Sequence, residues 1–308
     1  MMTVLINACS LIAVIAIGYL LKRVGVLHMS DFPTISKLIL WLTLPCAVIT
    51  NFSGFKADLA FIWIAVIGLL CNLVMSGCGY FFNRKKSNED KAFAVINHSG
   101  FNIGSFALSY MQSFLGPADV LGVCVFDAGN SIMCAGGTYS LAAGVKDREK
   151  FSALTFIRRT LSSVPVLAYV TMFIFSILQI RLPEFVLSFA GVVGRANPFL
   201  GMLGLGIAFE IRINKKQIKK LGQMLLVRYG VSTILALSFF FFLPFSLGVR
   251  QGLVLVAFAP VSSICTVFTD KIKGDVSLAG TMGSVSVVIS AAVMMFLMLW
   301  MKSMGGGA

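Results

Sequence analysis

Apolar runs of about 20 residues follow one another along this chain, separated by short gaps that hold most of its charge. A helix rises about 1.5 Å per residue, so each run is long enough to cross a bilayer core of roughly 30 Å. The pattern predicts ten helical spans, at approximately 3–21, 34–52, 60–82, 92–112, 118–143, 153–180, 185–209, 221–246, 251–270 and 276–301. The expected fold class is an all-α polytopic membrane protein without a soluble domain. Two runs break their own pattern. The fourth carries "NHSGFNIGS" at 97–105, and the ninth reads "FAPVSSICTVFTD" at 258–270. Spans two and seven each contain one internal proline, Pro45 and Pro198. Spans two and four therefore match spans seven and nine in the order of their features. Five spans per half reverse the orientation of the second half, so the expectation is an inverted repeat, residues 1–145 against 150–303. In such repeats the paired interrupted helices point to the binding site.

Charge sharpens this picture. The formal net charge of +13 would suggest a nucleic-acid partner in a soluble protein, but only 12% of residues are charged and mean hydropathy is +0.92. A soluble domain carries roughly 25% charge. No basic run is interleaved with aromatics, so no nucleic-acid partner is expected. Of the 25 Lys and Arg, nineteen fall in or beside alternate gaps on one side and four on the other, with Arg195 and Arg228 deep inside runs. The positive-inside rule puts the rich side in the cytoplasm of a plasma (inner) membrane and both termini outside. The first run ends at Lys22-Arg23 with no small-residue cleavage pattern, so it reads as a span rather than a signal peptide.

In lipid, unwound backbone is tolerated only where protein buries it or where it lines a wet cavity. Half-helix starts offer amides to anions and half-helix ends offer carbonyls to cations. The candidate substrate-binding residues are Asn97, Gly100, Asn102, Gly104 and Ser105 in span four, with Pro260, Ser262, Ser263 and Thr266 in span nine. The competing reading is a pair of kinked helices whose polar groups bond their neighbours. His98 is open to a proton-relay or a packing role. Asp127, nine residues into span five, must be paired, hydrated or protonated; Asn130 shares its face. These two are the candidates for ion coupling, to a proton or sodium, with a structural anchor as the alternative. Gly122, Gly129 and Gly136 recur every seven residues and would admit another helix closely. Arg228 could snorkel, pair with Asp127 or attract an anion, and Arg195 could meet the anion from span seven. The seven cysteines lie in apolar runs without a CxxC pair and read as fillers, so no metal or disulfide is expected. No nucleophile–base pair is evident, the two histidines stand seventy residues apart, and "GLG" is a packing motif rather than a dinucleotide loop. The chain is read as a non-enzyme that needs no cofactor.

Four stretches carry a family resemblance: "LWLTLPCAVI" in span two, "NHSGFNIGSFALSYM" in span four, "NPFLGMLGLGIAF" in span seven, and "FAPVSSICTVFTDKIKGD" running into span ten. Over essentially its whole length the chain resembles the auxin efflux carrier family, which includes plant PIN proteins and bacterial carriers of malonate and similar acids. The resemblance implies two inverted five-helix repeats with helices four and nine crossing at the membrane centre. It also implies a scaffold of spans one, two, six and seven, and a transport domain of the other six that moves as an elevator. Plant carriers often place a proline at the span-four crossing; this chain has "GFNIGSF". The expected function is secondary transport of a small organic anion, a mono- or dicarboxylate. The alternatives are a cation/proton antiporter on a related crossed-helix fold and a membrane sensor that binds without transporting. Expected partners are the organic anion, a coupling proton or sodium ion, the lipid bilayer and a second copy of the chain as a homodimer.

Overall fold

The computed structural model describes residues 2–54, 60–112, 115–147, 153–211 and 215–305. Lys56, Arg148, Lys150 and Arg212, counted among the gap charges, lie outside the described residues. The architecture is all-helical. The helices are α1 (Met2–Arg23), α2 (32–52), α3 (Phe61–Phe82), α4 (Asn88–His98), α5 (103–111), α6 (117–147) and α7 (Ala153–Leu161). They continue as α8 (Val164–Leu178), α9 (Glu184–Gly194), α10 (Ala196–Ala208), α11 (Lys215–Phe242), α12 (Leu247–Ala257), α13 (Ile264–Lys271) and α14 (Val276–Gly305). Among the described residues, six stretches are long and apolar enough to cross a membrane unaided: Met29–Phe52, Phe61–Phe82, Asp119–Lys146, Glu184–Ala208, Gln217–Phe242 and Val276–Ser303.

Local sequence sets the helix starts. Pro33, Pro117 and Pro165 occupy first-turn positions, where the missing N–H costs nothing. Ser87 caps α4 by accepting from the Asp90 amide, and Ser246 caps α12 by accepting from Val249. The sixth hydrophobic run is two helices rather than one, because Ser162 and Ser163 break it ahead of Pro165.

The exterior is oily. Trp41, Trp63, Phe185 and Phe242 stand mostly exposed, a surface suited to lipid. The interior holds the polar residues: Asn72, Asn97, His98, Asp127, Asn130 and Arg228 are all buried. Without a hydrophobic drive between helices in lipid, close backbone contact must hold them together, and glycine permits it. A Cβ at Gly18 would stand 2.4 Å from the Leu203 carbonyl, so α1 lies directly on α10. A Cβ at Gly129 would stand 1.9 Å from the Ala65 carbonyl, and one at Gly68 2.2 Å from that of Phe126, so α3 and α6 touch at two points. The seven-residue glycine stripe of span five divides its work. Gly129 meets α3, Gly122 meets the Val249 side chain on α12, and Gly136 kinks α6 at φ 152°.

Candidate functional site

Both interrupted runs come apart and meet. α4 stops at His98, Ser99 is extended, and Gly100 takes φ +73°. α12 stops at Ala257, and Pro260 follows without an N–H to continue it. Phe101 and Val261 then pair as an antiparallel bridge. Asn102 N–H donates to the Pro260 carbonyl (2.9 Å) and Ser262 N–H to the Gly100 carbonyl (3.2 Å). Gly100 is needed twice, for its left-handed backbone and for space: a Cβ there would stand 3.0 Å from Ser262 Cβ and 3.1 Å from Cys265 Sγ. The half-helices α4, α5, α12 and α13 have 8–11 residues each, about 12–16 Å, half of a bilayer core. Half-helices of such similar length would bring their meeting point near the mid-depth of a bilayer.

Side chains from four other helices complete the backbone pairing that the break leaves open. Asn130 on α6 acts as a strand edge for Phe101: its Oδ1 accepts the Phe101 N–H (3.0 Å) and its Nδ2 donates to the Phe101 carbonyl (2.9 Å). Asn72 on α3 takes the Gly100 N–H on Oδ1 (2.8 Å) and donates to Asn130 Oδ1 (3.1 Å). Ser286 on α14 takes the Val261 N–H (3.0 Å). On the carbonyl side stands Arg228 of α11, wholly buried, with Nη1 on the His98 carbonyl (2.6 Å) and Nη2 on those of Gly100 and Ala259 (3.1 Å each).

The opposite, amide side of the crossing faces a cavity of about 570 Å³. α2, α8 and α10 line one wall of it; α5, α6 and α13 line the other. Neither α5 nor α13 has a side-chain N-cap. Asn102, 6% exposed, lines the cavity with an Nδ2 that has no hydrogen-bond partner. Ser105, Ser131, Ser262 and Ser263 add hydroxyls, and Lys37 and Lys271 stand at the end where α2 begins and α13 finishes. Asp127 is on the wall. Its Oδ1 accepts from Asn130 Nδ2 (2.8 Å) and its Oδ2 from the Tyr169 hydroxyl of α8 (2.6 Å).

The structure sorts the expected site residues into three groups. Asn102, Gly104, Ser105, Ser262, Ser263, Asp127 and Asn130 share the cavity. Gly100 and Pro260 form the crossing behind it. Asn97, Thr266, Arg195 and Arg228 do not line it. Asn97 bonds Phe93 O (2.9 Å) and Thr269 Oγ1 (3.0 Å), tying α4 to α13. Thr266 misses because α13 presents Ile264, Val267, Phe268 and Lys271 to the cavity, the period-3.6 face that excludes position 266. Arg195 is exposed and bonds the Gly191 carbonyl of its own span (2.8 Å). Arg228 serves carbonyls rather than Asp127 or the cavity. His98 is buried with Nδ1–H on the Ala94 carbonyl (2.9 Å) and Nε2 without a partner. Three contributors were missed by sequence reasoning: Asn72, Tyr169 and Asn197. Asn197 on α10 donates to the Gly104 carbonyl (2.8 Å) and accepts from Thr43 (2.9 Å). Asn72 and Asn197 each carried a signal, a lone amide in an apolar run.

No family model and no curated protein sequence matches the chain.

Proposed function

We propose that this chain is a secondary transporter of a small organic anion, a mono- or dicarboxylate, of the auxin efflux carrier type. One observation carries the reading: the buried, unpartnered amide of Asn102 and two uncapped helix starts converge on a single cavity. Each helix start contributes about half a positive charge, so the pair attracts about one negative charge. Taken as continuous paths with one crossing each, α4–α5, α7–α8, α9–α10 and α12–α13 support ten spans with breaks at positions four and nine. That order supports inverted halves, 1–145 and 150–303. It also supports a scaffold of α1, α2 and α7–α10 beside a moving body of α3–α6 and α11–α14. The cavity lies between the two bodies, as an elevator requires. Its lysine-bearing end is the cytoplasmic one by the charge rule, so this is the inward-open state.

Asp127 supplies the coupling. It is the only acid among the cavity's described lining residues, which disfavours a two-carboxylate cation antiporter. An organic anion beside an ionised Asp127 is repelled at short range in a low dielectric. The two are admitted together when a proton arrives with the anion and neutralises the carboxylate. Symport with a proton follows.

The test is uptake of labelled mono- and dicarboxylates into proteoliposomes, with and without imposed proton or sodium gradients. Uptake accelerated by an inward proton gradient is expected. Absence of organic-anion uptake under every gradient overturns the reading. Cation exchange without anion movement would identify an antiporter, and saturable binding without uptake a sensor.

A further inference from the structure

Arg228 is the fourteenth of the 28 residues of α11, at the middle of a membrane-length helix and with no exposed surface. Among the described residues it pairs with no carboxylate. Its guanidinium spans the carbonyl ends of two different half-helices: His98 and Gly100 from the α4 side, Ala259 from the α12 side, with the Ser99 carbonyl at 3.5 Å. The Phe101 ring lies 5.4 Å from its central carbon. Each helix end carries about half a negative charge, so two of them together balance one cation. A set of inward-turned carbonyls near mid-depth is the chemistry that coordinates sodium in broken-helix carriers. Here those oxygens are already engaged by a cation on a covalent tether.

We infer that Arg228 is the resident counter-cation of the crossing, a positioning residue that holds both half-helix ends together and keeps an inorganic cation out. The planar fork suits the task. Two terminal nitrogens reach two half-helices at once, whereas one lysine ammonium is a single point charge. The inference deepens the transport reading, since it leaves the proton at Asp127 as the coupling ion, but its first test needs no transport.

That test is thermal melting of the purified protein in detergent with sodium replaced by choline, and with millimolar methylguanidinium added. The wild-type midpoint is expected to ignore all three cations. Arg228→Ala should melt lower, regain most of the loss with methylguanidinium but not with choline, and become sensitive to sodium as the vacated carbonyls take a free ion. Arg228→Lys should melt between the two and gain little from methylguanidinium. Specific stabilisation of the wild type by sodium overturns the inference. So does an Arg228→Ala protein that no cation restores. If Arg228→Ala does not insert, the wild-type and Arg228→Lys melts still decide: methylguanidinium rescue of the lysine variant to the wild-type level would show that tethering by the fork is not what matters. In proteoliposomes, proton-driven uptake should survive full replacement of sodium by choline. Finding no uptake at all removes the transport reading and leaves the melts to judge Arg228.

Discussion

Replacing Asn130 by alanine removes the one side chain that completes the backbone of Phe101. Two main-chain groups, N–H and C=O, lose partners at 3.0 and 2.9 Å, at a position where Phe101 is 1% exposed. A buried group left unsatisfied costs about 1–3 kcal/mol, so the pair costs about 2–6 kcal/mol, less whatever water recovers. Ile103 N–H also lies on the Phe101 carbonyl, at 3.0 Å, so the loss falls mainly on the N–H and the lower half of that range applies. A chain of this size loses roughly 2 °C of melting midpoint per kcal/mol. The expected fall is therefore about 4–8 °C, measured by thermal melting in detergent, with transport reduced because α5 loses its fixed start. Asn130→Asp should fare worse than the geometry of one atom suggests. It keeps an acceptor for Phe101 N–H but loses both donors and sets a second carboxylate beside Asp127. A midpoint within about 1 °C of wild type for Asn130→Ala, with uptake intact, would refute the reasoning; Phe101 would then be finding its partners in water, and the crossing would be wet on both sides.

Asn102→Leu should fold and insert but lose uptake, because it removes the free amide from the cavity while breaking no hydrogen bond of that side chain's Nδ2; unchanged affinity and rate would contradict this. Asp127→Asn should still bind the anion, as measured by equilibrium binding, while uptake loses its dependence on the proton gradient; full gradient-driven uptake would make Asp127 a structural anchor for Tyr169. Gly201→Ala places a Cβ 2.2 Å from the Ser105 carbonyl, a backbone atom that cannot swing away, and should cost about 1–3 kcal/mol in melts. At the surface, the hydrogen bond from Lys220 holds the Asp90 carboxyl below its ordinary range. A lowered value stabilises above the unfolded pKa near 4 and fades as pH falls through the folded one. Asp90→Asn should therefore melt slightly lower at neutral pH, by no more than about 1 kcal/mol because both partners are about a third exposed, and the difference should vanish in acid.

What the sequence disclosed was whatever a backbone demands of a particular residue. Gly100 and Pro260 could be placed at the crossing because a left-handed turn wants glycine and a proline ends a helix. The apolar runs located the helices for a similar reason, since lipid allows few substitutes. Side-chain destinations were less accessible. Asn97 and Asn102 are five residues apart and looked alike, yet the unwound turn between them resets the helical phase, so one joins α13 and the other faces the cavity. Thr266 misses the cavity for a simpler reason, since it lies off the face of α13 that lines it. Arg228 could not be assigned because its partners are carbonyls from two segments remote in sequence, and a carbonyl leaves no mark on a sequence. The break in span six was readable in "SSVP", a helix-start signal, but average hydropathy ran across it.

The tethered guanidinium has an electrical consequence. Arg228 and Asp127 ride on the same proposed moving body, and their formal charges sum to zero when the cavity is empty and the acid is ionised. When a monovalent anion and a proton are aboard, Asp127 is neutral and Arg228 is matched by the anion, so the sum is again zero. Neither stroke of such a carrier moves net charge across the bilayer, and the membrane voltage does no work on it. A divalent anion carried with one proton would leave one negative charge uncompensated, worth about 2.3 kcal/mol for each 100 mV. The valence of the cargo, rather than any change in the protein, would then decide whether the cell's voltage opposes or assists its passage.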